Sequence, residues 1–320
     1  MNTFRTLAAA LAALGVLSGA AMAQIYPTKP VTVLTSIGAG SATDLECRAV
    51  AKYLEEALKQ PFVVEPRPGA GGSLAAAAVA RAAPDGYTLF CSGPGVTTFK
   101  VLIKDLSFDP LKDLAPISQF SDFVGLYLTS GKADFKTMGE FIAYAKANPG
   151  KLNYASAGRN SIVLAMEALK RDLGINLVEV PYPGTPQFTQ AAIANEVHLI
   201  QAPISFAKGQ IDAGGLRPLM INGTAKSVLY PALPTLTDKG LNIPTGTWTG
   251  LFAPGGTPKP IIDRIAAEVA NYARSPEAKK REAEGAITFP GTTPEQFSQK
   301  VANDAKRYGE IADSLGWKPE

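Results

Sequence analysis

The chain has 320 residues, 46% of them apolar and 18% charged, with 31 Lys and Arg against 28 Asp and Glu. That balance excludes a disordered or coiled-coil protein, and a net charge of +3 over this length gives no electrostatic footprint for a nucleic acid. Thirty Gly and 25 Pro suit many strand-to-helix turns, and the length favours two domains over one.

Met1–Arg5 carries a single Arg, Leu7–Val16 is almost wholly Ala and Leu, and Ala21-Met22-Ala23 is a small-x-small site before Gln24. This order predicts a Sec-type signal peptide over residues 1–23 and a mature chain in the periplasm. No cysteine sits at the cut, so no lipid anchor is expected, and no later stretch is apolar enough to predict a bilayer span. Outside the cytoplasm NAD and ATP are scarce, and no cofactor is expected. Cys47 and Cys91 either form one disulfide or pack as two small buried hydrophobes.

Val31–Thr35 reads as a buried strand, Ile37–Thr43 as a glycine-rich turn, and Thr43 or Asp44 as the cap of a helix reaching Leu58. Phe62–Val64 is the next strand, Pro66–Gly72 a turn, Ser73–Ala82 a small-residue helix and Tyr87–Cys91 a third strand. Strand-helix-strand-helix-strand is a parallel-sheet layout. Leu114–Ser118 and Phe123–Thr129 read as further strands, and Thr137–Glu140 as a capping box for a helix ending at Asn148-Pro149-Gly150. Leu152–Ala155 is a strand, Ser156–Ser161 a polar turn, and Asn160 the cap of a helix with an apolar stripe. Leu177–Val180, a turn at Pro181–Thr185, a helix at Pro186–Ala194, and strands at Val197–Ile200 and Leu216–Ile221 follow.

The middle of the chain thus repeats the opening, which predicts an α/β fold of two domains with a cleft between them. The expected division is 24–123 plus 248–320 as the first domain and 124–247 as the second, with crossings near residues 123 and 248. After the strand Trp248–Ala253, helices open at Pro258–Pro260, at Ser275-Pro276 and at the capping box Thr293–Gln296, and are expected to cover the first sheet.

Catalytic apparatus is sparse. His198 is the only histidine, so a metal cluster built on paired histidines is ruled out. It reads as a structural group, a cleft-lining group or, least readily, a base. No G-x-S-x-G elbow is present, and Ser205-Phe206-Ala207-Lys208 matches S-x-x-K without a K-T-G companion. Gly38-Ala39-Gly40 imitates a dinucleotide fingerprint, but its third glycine is Thr43 and Glu65 lies late. The chain is therefore not read as an enzyme.

The same glycine-rich turns have a simpler use. A turn feeding a helix N-terminus exposes main-chain N–H groups that bind an anion without a lysine. The first domain offers Ser36, Ile37, Gly40, Ser41, Ala42, Thr43 and Asp44 there. The second offers Ser156, Gly158, Arg159, Asn160 and Ser161, then Pro183, Gly184 and Thr185. Arg159 either pairs with a ligand carboxylate or bonds a neighbouring acid at the surface. Asp44 either caps its helix or accepts from a ligand amine or hydroxyl.

Several segments resemble a known family: Tyr26-Pro27-x-Lys29-Pro30, Ala42-Thr43-Asp44, Arg67-Pro68-Gly69-Ala70-Gly71-Gly72, Ala83-Pro84-Asp85-Gly86-Tyr87-Thr88-Leu89, Phe108–Leu114, Gly150–Ser156, Pro181-Tyr182, Leu233-Pro234-Thr235 and Gly250-Leu251-Phe252-Ala253-Pro254. In this order, over Tyr26–Glu320, they are similar to the periplasmic solute receptors of tripartite tricarboxylate transporters. The resemblance implies a two-domain periplasmic-binding-protein fold, type II-like, closing on a small organic anion. It implies a monomer that delivers its solute to a two-component integral membrane permease. It places the three turns above, together with Ser92 and Gly93, on the cleft.

The sequence departs from the family where the ligand would sit. A P-x-P-P-G-G turn is replaced by Thr35–Ser41, Arg159 enters a turn usually uncharged, His198 stands where Asp is common, and Pro183 replaces a frequent Lys. These changes predict an aromatic or otherwise bulky carboxylate rather than a plain aliphatic dicarboxylate. A sensory receptor for a membrane kinase would share every cleft residue, and an exported enzyme would have to use His198.

Overall fold

The computed structural model describes residues 26–156, 160–224, 226–244, 248–284 and 286–319. In chain order it reads β1 (Val31–Thr35), α1 (Ala42–Leu58), β2 (Phe62–Pro66), α2 (Ser73–Ala80), β3 (Thr88–Ser92), α3 (Phe99–Leu102) and β4 (Leu114–Phe123). Next come β5 (Gly125–Ser130), α4 (Met138–Ala147), β6 (Leu152–Ser156), α5 (Ser161–Leu173), β7 (Leu177–Pro181), α6 (Thr185–Ile193), β8 (Ile200–Pro203), α7 (Ile204–Asp212) and β9 (Leu216–Asn222). The chain ends with β10 (Trp248–Pro254), α8 (Lys259–Ala273), α9 (Pro276–Ala283), β11 (Ile287–Thr288) and α10 (Pro294–Ser314).

The first lobe is built on a six-stranded sheet of order β11-β4-β10-β3-β1-β2. β1 runs parallel to β2 and β3, while β10 is antiparallel to both β3 and β4. Alternation along each strand divides the core between the two faces. Val31 and Val33 of β1 and Leu89 and Cys91 of β3 join Cys47, Val50 and Leu54 of α1 on one face. Leu34 and Phe90 point to the other, where they meet Ala75, Phe252 and Phe297. With both faces covered, these strands read as continuous apolar runs. A disulfide joins Cys47 to Cys91 inside the first face, which resolves the two alternatives in favour of the bond.

The second lobe holds the antiparallel sheet β8-β5-β9 and the parallel pair β6-β7, linked by a bridge between Tyr154 and Leu199. β4 ends in the first sheet at Phe123 and β5 begins in the second at Gly125. Val124 between them donates its N–H to Ala286 O (3.1 Å) and accepts from Ile204 N–H (2.9 Å).

Several elements differ from the sequence expectations. α1 begins at Ala42 with Ser41 as its cap, Ser41 Oγ accepting the Asp44 N–H, so neither Thr43 nor Asp44 caps it. The expected strand at Val197–Ile200 lies instead at Ile200–Pro203, because that stretch is the one that pairs with Gly125–Leu128. The S-x-x-K segment lies on α7, where Lys208 pairs with Asp212 at the surface (2.6 Å). α10 covers β4 as anticipated through Phe297 and Val301, yet Ile311 belongs to the second lobe's core and Leu315 packs against it. Phe297 reaches its place over β10 because residue 250 is Gly, where a Cβ would lie 2.2 Å from the ring.

Among the described residues, no helix is long and apolar enough to cross a membrane.

Candidate functional site

A cavity of about 660 Å³ opens between the lobes. β1, β2, β3 and β7 all deliver their C-terminal ends to it, the usual place for ligands in open parallel sheets. After β1 come Ser36 and Ile37, then Ser41, Ala42 and Thr43 at the start of α1. Ser92 and Gly93 follow β3. Asn160 and Ser161 stand at the start of α5, and Pro183 and Thr185 lie between β7 and α6. Eleven of the eighteen residues named from sequence thus border one space.

Five others do not border it. Asp44 is buried at 1% exposure, and its Oδ2 accepts from Gly40 N–H (2.9 Å) and Arg48 Nε (2.9 Å). The carboxylate sits at the third helical position and folds back on the turn, which satisfies an N–H and complements the helix dipole. Gly40 is held by this contact on the exposed outer side. Ser156 is buried and donates its hydroxyl to Glu179 Oε1 (2.5 Å). Gly184 is the buried residue preceding α6. His198 donates its backbone N–H to Asn153 Oδ1 (3.0 Å), and its Nδ1 lies 2.5 Å from the same oxygen. The ring thus serves the contact between β6 and the chain before β8, and burial lowers its pKa. Gly158 and Arg159 lie outside the described residues.

Sequence reasoning missed part of the wall. Pro68–Gly72, after β2, also lines the cavity. Gly72 takes φ +98°, and a Cβ there would sit 2.6 Å from the Ser36 Cβ. Ser36 in turn shares a hydrogen bond with Ser92 (Oγ–Oγ 3.0 Å), so three strand ends are packed against one another. Phe123, Trp248, Tyr182, Ile162 and Gln201 complete much of the remainder. A run of three glycines in five residues at a strand end was the signal available for the first of these.

Among the described lining residues, none carries a charge. From these described residues, attraction for an anion would come from the main chain. α2 and α6 begin beside the cavity, which Gly72 and Thr185 line, and neither has a side-chain cap. Their first-turn N–H groups and dipoles favour negative charge. α1 and α5 are capped by Ser41 and Asn160. Trp248, Phe123, Ile37 and Ile162 add apolar surface to the lining. Among the described residues, no group of His, Cys, Asp and Glu could hold a metal ion.

The family model described as tripartite tricarboxylate transporter family receptor matches residues 47–317. The chain belongs to this family. A UPF0065 protein from the gbd 5′ region of Cupriavidus necator is 33% identical over 313 residues, covering 97% of this chain and 95% of that one. A Rhodopseudomonas palustris protein solved with adipate superposes with a TM-score of 0.86 at 26% identity, covering 92% of this chain and all (100%) of the other. MatC from the same species, solved with bound malate, gives a TM-score of 0.80 at 29% identity, covering 89% and 99%. The fold of the receptor family is therefore a two-domain periplasmic-binding-protein fold, and its members are binding receptors.

Proposed function

We propose that this chain captures a small carboxylated solute in the interlobe cavity and delivers it to a two-component integral membrane permease. The observation that carries the reading is the cavity itself. Turns at strand C-termini from both lobes meet across it, with two uncapped helix starts among them. Adipate and malate in the related structures are carboxylates, and main-chain donors suit such anions.

In this reading residues 1–23 are a signal peptide and the mature chain works in the periplasm as a monomer. Residues 24–123 with 248–320 form one domain and 124–247 the other, and no catalysis is involved. Ser41–Thr43, Ser92-Gly93, Asn160-Ser161 and Thr185 hold the solute, with Arg159 as the cationic partner from the turn before α5. The wall of Trp248, Phe123, Tyr182 and Ile37 favours an aromatic or bulky carboxylate over a short aliphatic diacid.

A thermal-shift panel of aromatic acids, C4–C6 dicarboxylates and amino acids tests this. Ligand that binds only the folded state raises the melting temperature with concentration. Stabilisation by aromatic carboxylates supports the reading. Stabilisation by short aliphatic diacids alone overturns the preference for bulk, and none by any carboxylate overturns the receptor role.

A further inference from the structure

α10 packs against both lobes. Phe297 and Val301 are embedded in the first lobe's core, whereas Ile311 belongs to the second lobe's. Tyr308 and Ala312 lie between Leu102 of α3 and Leu164 of α5. Arg307 Nη2 donates to Asn242 Oδ1 (2.8 Å), and Arg171 bonds the Ser314 hydroxyl. The helix is therefore fixed against both lobes at once.

Between its two apolar halves stands Asp304. Its Oδ2 accepts from the indole Nε1–H of Trp248 at 2.8 Å. Trp248 lines the cavity at the start of β10, where the chain returns from the second lobe. Its ring meets Phe297 edge-on, centroids 5.2 Å apart at 89°, and is 2% exposed. An indole has a single donor and its N–H seeks a partner when buried. With that donor committed to α10, the ring presents carbon to the solute. Without the carboxylate, the indole would turn to reach another acceptor and the wall would change shape.

We propose that Asp304 is a positioning residue for solute binding. It acts through Trp248, and because α10 is anchored in both lobes it sets the ring relative to both walls of the cavity. This rests on the receptor reading above.

The test compares Asp304→Ala and Asp304→Asn with the unaltered protein. Calorimetric titrations use adipate and benzene-1,4-dicarboxylate. Acrylamide quenching of Trp248 is measured in a Trp317→Phe background, which leaves one of the two tryptophans. Asp304→Ala should weaken binding about tenfold or more and make Trp248 more quenchable, the loss expected for one well-buried contact. Asp304→Asn retains an acceptor oxygen for the indole and should stay within about threefold. A lower melting temperature with unchanged affinity in the folded Asp304→Ala protein would mark the residue as merely structural and overturn the proposal. If the unaltered protein binds neither acid, the titrations are repeated with a carboxylate that stabilises it in the thermal-shift panel, and if none does, the receptor reading fails on its own. Quenching then decides the question for Asp304, and unchanged Trp248 accessibility in the alanine variant overturns it.

Discussion

On the first lobe, the wall of the cavity is fastened from several directions. Asp44 holds Gly40 and Arg48, Ser36 is bonded to Ser92, and the Cys47–Cys91 disulfide ties α1 to β3 directly behind the turn. Glu46 of α1 is also paired with Arg281 of α9, whose guanidinium lies over Phe289. On the second lobe, α6 opens at Gly184 with no side-chain cap. The β6-β7 pair meets its neighbouring sheet through the Tyr154–Leu199 bridge and the Asn153–His198 contact. One wall is tied by a disulfide and buried carboxylates, the other by the Asn160 cap and hydrogen bonds such as Ser156–Glu179. Preorganising a docking surface raises affinity by cutting the ordering cost of binding.

That contrast can be broken most forcefully at the disulfide. It closes a loop of 44 residues, and the chain-entropy argument gives about 4 kcal/mol for a loop of that length. Cys47→Ala with Cys91→Ala should lower stability by that order in urea unfolding. A loss under about 1 kcal/mol would show that the first wall does not depend on the bond. Next in size is Arg159→Ala, for which calorimetry should find binding weakened by about 2–4 kcal/mol if the guanidinium pairs with the solute out of water. A change under about 0.5 kcal/mol, within the usual range for surface substitutions, places the residue outside the contact.

Gly72→Ala probes the packing of the strand ends. Its φ of +98° and the close approach of Ser36 predict a cost of about 1–3 kcal/mol, read in the same urea unfolding, together with weaker solute binding. Alanine tolerated without either effect would mean that this turn is pliable. The smallest effect belongs to His198. Burial lowers its folded pKa, so the unfolded chain takes up the proton first, near the ordinary value of about 6.5. Its contribution to stability is therefore complete above that pH and is lost as pH falls from about 6.5 toward the folded pKa. His198→Gln should flatten the stability profile in that window, and an unchanged profile would contradict the assignment.

The parallel opening β1-α1-β2-α2-β3 was legible because continuous β-branched runs alternate with capped, amphipathic stretches. The glycine turns at strand ends were legible for the same local reason. What escaped was decided by distant pairing. Thr43 and Asp44 are both plausible caps in the sequence, and only the path of the chain into α1 gives that role to Ser41. Val197 and Leu199 mark His198 as flanked by buried residues, but only the pairing with Asn153 shows which way its ring turns. Pro68–Gly72 enters the cavity through the parallel register of β1 with β2, which no local pattern reveals. The stripe of α10 announces a helix, yet its division between two cores depends on how the lobes are set.

The most direct measurement is a crystal structure of the protein with the tightest-binding carboxylate from the panel. The account predicts the carboxylate inside the cavity, accepting from main-chain N–H groups contributed by both lobes, with Trp248 against its apolar body. A solute bound on an outer face, or held by side-chain charges of one lobe alone, would contradict it.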